Sequence, residues 1–297
     1  MNLLIDDWIP VKKEDTPKQI TYKELLCTDY PYKLSHPRDD MELGALQLLL
    51  CLTQSIFMPN NRDELVVNIK TPMNEAKFDQ GIKDYIKWFS LDDPKYPFMQ
   101  DVSVSGKKST SKQEKAKGET TKIQKLFANM PVGPGSATLF NSSKEIEQIC
   151  PSCAAIGMME LTTTPSWSGG YITGLRGESP VTVLVHDFNL RKMIWKNVLD
   201  KEWKDKNWPI TITEYDSPTW IEHIQEKSRN LAHNIGMLRG LFWQSIRMLL
   251  IWDHTDTPVI CSCCRKETNI FCKDFLQSKF SFKHGGSIEN AKELGVW

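Results

Sequence analysis

Apolar residues along this chain recur at two spacings, three-to-four and two, and the alternation between them outlines its elements. After Ser35-His-Pro-Arg-Asp-Asp40, the residues Leu43, Leu46 and Leu50 repeat at helical spacing, and Asp39 or Asp40 can cap the amides in front of them. That pattern predicts a core-facing helix. Ile82, Tyr85, Ile86 and Phe89 share the face of a second helix over Lys77 to Phe89, which Asp92-Asp93-Pro94 ends. A short helix is expected from Ala154 to Leu161, broken by Thr162-Thr-Thr-Pro165, and another from Asp187 to Leu199 with Leu190, Met193, Ile194 and Val198 inward. Strand spacing marks Leu3 to Val11, a buried Val181 to Val185, Ile210-Thr-Ile-Thr213, and Phe280-Ser-Phe282 with Lys279 opposite the phenylalanines. Trp203, Trp208 and Pro209 mark a polar connection between elements. Ile235 to Trp252 is a long apolar stretch that periodicity leaves open between core strand and buried helix. Interleaved short strands and helices read as an α+β fold, a mixed globular domain.

One segment breaks the pattern. Ser103 to Lys125 is rich in Lys, Ser, Thr and Gln and poor in apolar residues, so it is expected to be a mobile loop or to be ordered by something anionic. Gly106-Lys-Lys-Ser109 lacks the earlier glycine of a phosphate loop, Asp101 standing there instead. Met130-Pro-Val-Gly-Pro-Gly-Ser136 continues as irregular chain toward Leu139-Phe-Asn141.

Charge narrows the classes further. The 297 residues carry 37 basic and 37 acidic side chains, a formal balance of zero, which argues against a free-standing nucleic-acid binder and leaves such contacts to a local patch or a partner. The first residues lack the basic and apolar regions of an export signal, and no apolar run reaches membrane-spanning length, so a cytoplasmic protein is expected. In that compartment the eight cysteines are expected to be reduced thiols.

Four of them carry the strongest chemical signal. Cys150-Pro-Ser-Cys153 and Cys261-Ser-Cys-Cys264 are two Cys-x-x-Cys pairs, the spacing at which thiolates reach one tetrahedral ion from a tight turn. Cys150, Cys153, Cys261 and Cys264 thus predict a structural zinc that staples two distant stretches, with no coordination position left for an activated water. Cys263 is a spare that can replace Cys261 if the turn differs, and Cys27, Cys51 and Cys272 read as small buried hydrophobes. The loop Ser166-Trp-Ser-Gly-Gly-Tyr171 is either a tight turn with its aromatics packed beneath or a place where Gly169 and Gly170 let backbone approach a ligand. Catalytic patterns are missing. None of His36, His186, His223, His233, His254 or His284 is followed two residues on by Glu, the zincin and nucleophile-elbow motifs are absent, and the acid pairs Asp6-Asp7, Asp39-Asp40 and Asp92-Asp93 read as caps and turns.

Several stretches in order resemble one family. The opening Met-Asn-Leu-Leu-Ile-Asp-Asp-Trp-Ile-Pro, Pro37-Arg-Asp-Asp-Met-Glu-Leu43, Pro97-Phe-Met-Gln100, both cysteine pairs, Gly174-Leu-Arg-Gly-Glu-Ser-Pro-Val181 and Arg239-Gly-Leu-Phe-Trp-Gln244 are similar to the CasA family, the large subunit of the type I-E CRISPR complex Cascade. The resemblance implies a non-enzymatic subunit whose partners are the other Cascade subunits, CRISPR RNA, double-stranded target DNA and a separate helicase-nuclease. It implies that the subunit reads the protospacer-adjacent motif (PAM) and helps open the duplex. By the same likeness Gly169, Gly170 and Lys279 meet DNA, and Leu139, Phe140 and Asn141 lie near the RNA. Ser166 and Ser168 stand where glycine is common in the family, which bears on the motif preferred. Residues 1–297 are then expected to be an N-terminal recognition domain incomplete at its C-terminal end, without the family's glutamine wedge and four-helix bundle. An alternative expectation is an interaction module that binds Cascade partners or an inhibitor without reading DNA.

Overall fold

A computed structural model of the chain describes residues 1–104, 120–127, 130, 145–163, 183–207, 216–224, 230–231, 234–278 and 288–289. The expected first strand starts late. Asn2 forms a single bridge to Ser90, its side-chain amide donates to the Ile86 carbonyl at 2.7 Å, and its Oδ1 accepts from the Leu4 amide, so residues 3–7 turn instead of extending. Strand β1 (Ile9–Lys13) then pairs antiparallel with β2 (Thr16–Ile20) across a tight turn in which Glu14 takes a left-handed φ of 56°. Helix α1 (Tyr22–Cys27) is capped by Thr21, whose hydroxyl accepts from the Glu24 amide, and β3 (Lys33–Leu34) returns to the free side of β1.

Helix α2 (Asp39–Ile56) is the central rod, with Leu48, Leu49 and Leu52 fully buried. Its start differs from expectation. Arg38 occupies the cap position without a side-chain cap bond, and Asp40 instead accepts from the Met41 amide and pairs with the Arg38 guanidinium at 2.6 Å. Leu43 is 47 % exposed rather than inward, because Met41 and Ala45 on either side of it turn into the core while Leu43 lines a surface groove with Phe188 and Met193. Further along, α2 lies close against a later helix: a Cβ on Gly44 would sit 3.0 Å from Ile156 Cγ2, so glycine is what allows the approach.

Asn61 and Asn74 cap α3 (Arg62–Lys70) and α4 (Glu75–Ile82). The single helix expected over 77–89 is two pieces, α4 and a 3₁₀ turn at Ile86–Trp88. After Ile82 the ladder tightens to three-residue steps, the Tyr85, Trp88 and Phe89 amides donating to Ile82, Tyr85 and Ile86 O, and the Asn2 side chain and the Trp220 indole bond Ile86 O and Trp88 O at its end. Strand β4 (Thr121–Lys122) and the 3₁₀ turn Ile123–Leu126 follow, with Ile123 and Leu126 at 1 % exposure and Val104 at 4 %. Both described ends of the Lys-rich segment are thus built into the core, narrowing the expected loop to residues 105–119, which lie outside the described residues.

Helix α5 (Pro151–Thr163) packs on α2, and α6 (Leu190–Lys196), capped by Asn189, is shorter than expected. Arg191 of α6 is fully buried and donates to the carbonyls of Asn68, Ile69 and Thr71 at the end of α3, and to Asp29. The buried strand expected at Val181–Val185 is overturned where it is described. Val183 is 87 % and Val185 53 % exposed, and Val185 exchanges backbone hydrogen bonds with the Asn197 side chain rather than with a neighbouring strand. Trp203 lies not in a connection but in α7 (Lys201–Asn207). Strand β5 (Asn230–Leu231) pairs in parallel with β8 (Ile288–Glu289). The ambiguous Ile235–Trp252 stretch resolves into both alternatives, α8 (Met237–Leu241) followed by strand β6 (Arg247–Ile260). With β7 (Glu267–Ser278), β6 forms a long antiparallel hairpin in a sheet of order β4-β7-β6, while β2-β1-β3 is the other three-stranded sheet. Mixed helices and small sheets make the fold α+β. Among the described residues no helix is long and apolar enough to cross a membrane.

The core joins distant stretches through aromatic rings. Phe89, Phe98, Trp220 and Phe242 all contact one another, at centroid distances from 5.1 Å (Phe98–Trp220) to 6.0 Å (Phe98–Phe242). Gln100 and Gln244 complete this knot by bonding backbone: Gln100 Oε1 accepts from the Leu250 amide, and Gln244 Nε2 donates to the Met99 carbonyl. The Pro97–Gln100 and Arg239–Gln244 motifs are therefore packing motifs.

Candidate metal centre

The centre is assembled from one helix start and one hairpin turn. Cys150 immediately precedes α5 and Pro151 opens it, a position where the missing N–H costs nothing. Cys153 follows in the first turn and is directed to the same side, and the Ala154 amide donates to the Cys150 carbonyl at 3.0 Å. Cys261 to Lys266 is the turn between β6 and β7. It is closed by the Cys261 amide donating to Lys266 O, by the Arg265 amide donating to Cys261 O, and by Arg265 at a left-handed φ of 65°.

Main-chain bonds zip the two pieces together before any sulfur is counted. Ile149 and Cys272 exchange amide-to-carbonyl bonds of 3.0 and 2.9 Å, the Ser262 amide donates to Gln148 O, and Gln148 Nε2 donates to Ile260 O. Ser262 Oγ accepts in turn from the Glu147 and Gln148 amides.

Cys150, Cys153, Cys261 and Cys264 are brought together with their sulfurs all within 4.8 Å of one another. Cys150 and Cys264 are 3.7 Å apart, Cys153 and Cys261 3.8 Å. These gaps are far too long for disulfides, whose sulfurs lie about 2.05 Å apart. They match the edge of a tetrahedron around an ion with sulfur bonds of about 2.3 Å, which is about 3.8 Å. Three of the four are buried and Cys264 is half-buried. Contacts with Cys150 and Cys153 pull the Cys261 and Cys264 thiols below their usual range, while Cys153, in contact with Cys150 and Cys261 and buried, and Cys150, whose lowering contact with Cys153 is outweighed by Cys261, Cys264 and burial, are pushed up. Four sulfurs this close could hold a cation, which would balance them as thiolates. The donor set and geometry fit a metal ion.

Cys263 lies outside this set and groups instead with Cys153 and His36, a residue that spacing gave no reason to choose. His36 is far upstream of both cysteine pairs, and only its buried place beside Pro37 at the entry to α2 distinguishes it. Cys51 and Cys272 are buried as expected, and burial pushes the Cys272 thiol up to about 12, but Cys27 is only half-buried. Gly169, Gly170 and Lys279, and Leu139, Phe140 and Asn141, lie outside the described residues, as do Ile210–Thr213 and Phe280–Phe282. The acid pairs serve turns where their contacts are described: Asp6 accepts from the Asn2 amide, Asp92 pairs with the N-terminal amine, and Asp93 accepts from the Lys95 and Tyr96 amides.

An α+β fold in which four cysteines join a helix start to a hairpin turn defines a mixed globular scaffold with a centre that could hold a metal ion. The sequence profile of CRISPR-associated protein Cse1 matches residues 2–290, and the chain belongs to that family. Its fold is shared with solved structures. Cse1 from Acidimicrobium ferrooxidans is 17% identical with a TM-score of 0.64, covering 100% of this chain and 53% of its own. Thermobifida fusca Cse1 is 19% identical with a TM-score of 0.62, covering 94% and 51%. A chain described as a CRISPR RNA-guided surveillance complex is 14% identical with a TM-score of 0.61, covering 98% and 58%. The chain thus spans about half the length of these solved relatives.

Proposed function

We propose that this chain is the recognition domain of the large, non-catalytic subunit of a type I-E CRISPR RNA-guided surveillance complex, reading the PAM in double-stranded DNA and helping to recruit the helicase-nuclease. Family membership over residues 2–290 is the observation that carries the reading. Its partners are the other subunits, the CRISPR RNA, target DNA and that nuclease, and its compartment is the cytoplasm. The metal is zinc: four thiolates and no oxygen donor suit a closed tetrahedral zinc site, which adds folding energy and leaves no open position for chemistry.

The chain's own residues supply the rest. Lys279 directly follows Ser278, the end of β7, and β7 begins at the metal turn, so the centre fixes the strand leading to the DNA-contacting lysine. Gly169 and Gly170 bring backbone to the minor groove, where A·T and T·A edges differ little, so a lysine and close backbone give tolerant readout of several motifs. Leu139, Phe140 and Asn141 sit by the RNA. The zero net charge fits a protein that holds DNA only inside an assembly.

The test adds this chain to the remaining subunits with guide RNA and measures binding to duplexes with and without a motif at fixed salt. Motif-dependent affinity that is lost in Lys279→Ala with assembly intact supports the reading. Assembly without gain on any motif would leave an interaction module that does not read DNA.

A further inference from the structure

Two buried groups at the metal centre stand outside the four-sulfur set, His36 and Cys263. His36 Nε2 lies 3.6 Å from Cys153 Sγ and 3.8 Å from Cys263 Sγ. Taken alone, His36, Cys153 and Cys263 have the ingredients of a second metal site. The other ring nitrogen decides against it. His36 Nδ1 accepts a hydrogen bond from the Arg38 amide at 3.1 Å, so Nδ1 holds a lone pair and a neutral ring carries its proton on Nε2. A protonated Nε2 has no lone pair for a cation, and a doubly protonated ring would set Nδ1–H against the Arg38 N–H. The backbone keeps the ring in this pose, since the His36 amide donates to Glu42 Oε1 at 2.7 Å and Pro37 follows.

We infer that His36 is a positioning residue of the metal centre: its Nε2–H donates to the sulfur of Cys153 and to that of Cys263, and Cys263 is a hydrogen-bond acceptor rather than a reserve ligand. The inference rests on the four-sulfur reading. Four thiolates around a divalent cation leave a net charge of about −2 in a buried place, and a donor aimed at one of the sulfurs stabilises that charge. The same bond ties the entry of α2 to the start of α5 and to the β6–β7 turn, three stretches otherwise distant in sequence. Partners of this kind around a metal typically change its affinity about 10–100-fold.

The test loads the full chain with cobalt(II), reads the ligand-field and sulfur-to-metal charge-transfer bands, and measures affinity by chelator competition. Wild type, His36→Ala, His36→Gln and Cys263→Ser should all give a four-sulfur spectrum. His36→Ala should shift the charge-transfer band and bind about 10–100-fold more weakly. His36→Gln, whose amide N–H reaches the same place, should recover most of both, and Cys263→Ser should keep full metal content. A nitrogen-ligand signature in wild type that disappears in either His36 variant would make His36 a ligand and overturn the inference. So would His36→Ala with both band and affinity unchanged. If His36→Ala does not fold, the decision passes to His36→Gln, which must keep the four-sulfur spectrum. Wild type that takes up no cobalt would instead sink the four-sulfur reading on which all this rests.

Discussion

Two junctions hold distant stretches of this chain together, and they do so by opposite physics. The four-ring knot of Phe89, Phe98, Trp220 and Phe242 is apolar, with each ring fully buried. The cysteine centre is a largely buried cluster of four thiols, held in place by a handful of backbone bonds. The knot's stability needs no bound ion and no titrating group among its four rings. With the proposed metal the centre's is conditional: thiolates this close repel unless a cation stands among them, so one junction is a fixed weld and the other would depend on metal supply and pH.

The largest expected effect breaks the conditional side. Cys153→Ser, or chelation of the wild type, should remove the metal and destabilise the chain by about 4 kcal/mol or more when free metal stands 1,000-fold above the dissociation constant, with about 1.4 kcal/mol added per further tenfold. Thermal melting across a series of metal concentrations checks this. A melting temperature independent of metal would remove the distinction between the two junctions. Acid should act in the same direction as chelation, because the ligands bind as thiolates and protons compete with the ion.

Phe98→Ala probes the fixed side. Removing a fully buried ring that touches three other aromatics should cost about 3–5 kcal/mol, through lost transfer energy and the cavity left behind. Here the melting temperature should fall while metal stoichiometry and affinity stay as in wild type. Loss of metal in this variant would mean that knot and centre fold as one unit.

The two junctions also differed in how far the sequence disclosed them. Cysteine pairs are legible because coordination demands a spacing, and spacing is written in the chain. Four rings that meet from 89, 98, 220 and 242 obey no spacing, so only the family motifs around Phe98 and Phe242 hinted that these positions mattered. His36 was illegible for a similar reason, since its role is set by a ring nitrogen and a backbone amide across the fold. Periodicity identified α2 but misjudged Leu43, because apolar spacing does not say which side of a helix is covered, and here Met41 and Ala45 take the core side. It also broke at 77–89, where the amides of Tyr85, Trp88 and Phe89 bond three residues back and the apolar spacing runs on through a 3₁₀ turn. The exposed Val183 and Val185 show the converse, apolar β-formers without a partner strand.

The smallest effect lies between the junctions and sharpens their contrast. Asp101 follows the knot residue Gln100, its amide donates to Met248 O, and its carboxylate accepts from Arg247 Nε at 2.7 Å and Ser103 Oγ at 2.6 Å, with His223 Nε2 at 3.8 Å. It ties the knot to the foot of β6, the strand that ends at the metal turn. Burial raises the Asp101 carboxyl, but the bonds from Ser103 and Arg247 outweigh it and hold the group below the usual carboxylate range. A folded-state value depressed in this way contributes stability above the unfolded value of about 3.9 and loses it as pH falls through the folded one. Asp101→Asn should therefore cost about 1–3 kcal/mol, by a margin that stays level from neutral pH down to about 5 and closes only in stronger acid. Metal loss follows proton competition at thiolates, so it should begin at a pH of its own and persist in Asp101→Asn. Denaturant titrations of both proteins across that range, with metal content followed in parallel, separate the two. If one acid transition carries both the metal and the Asp101 margin, the foot of β6 and its metal turn respond as a single element and the contrast drawn above fails.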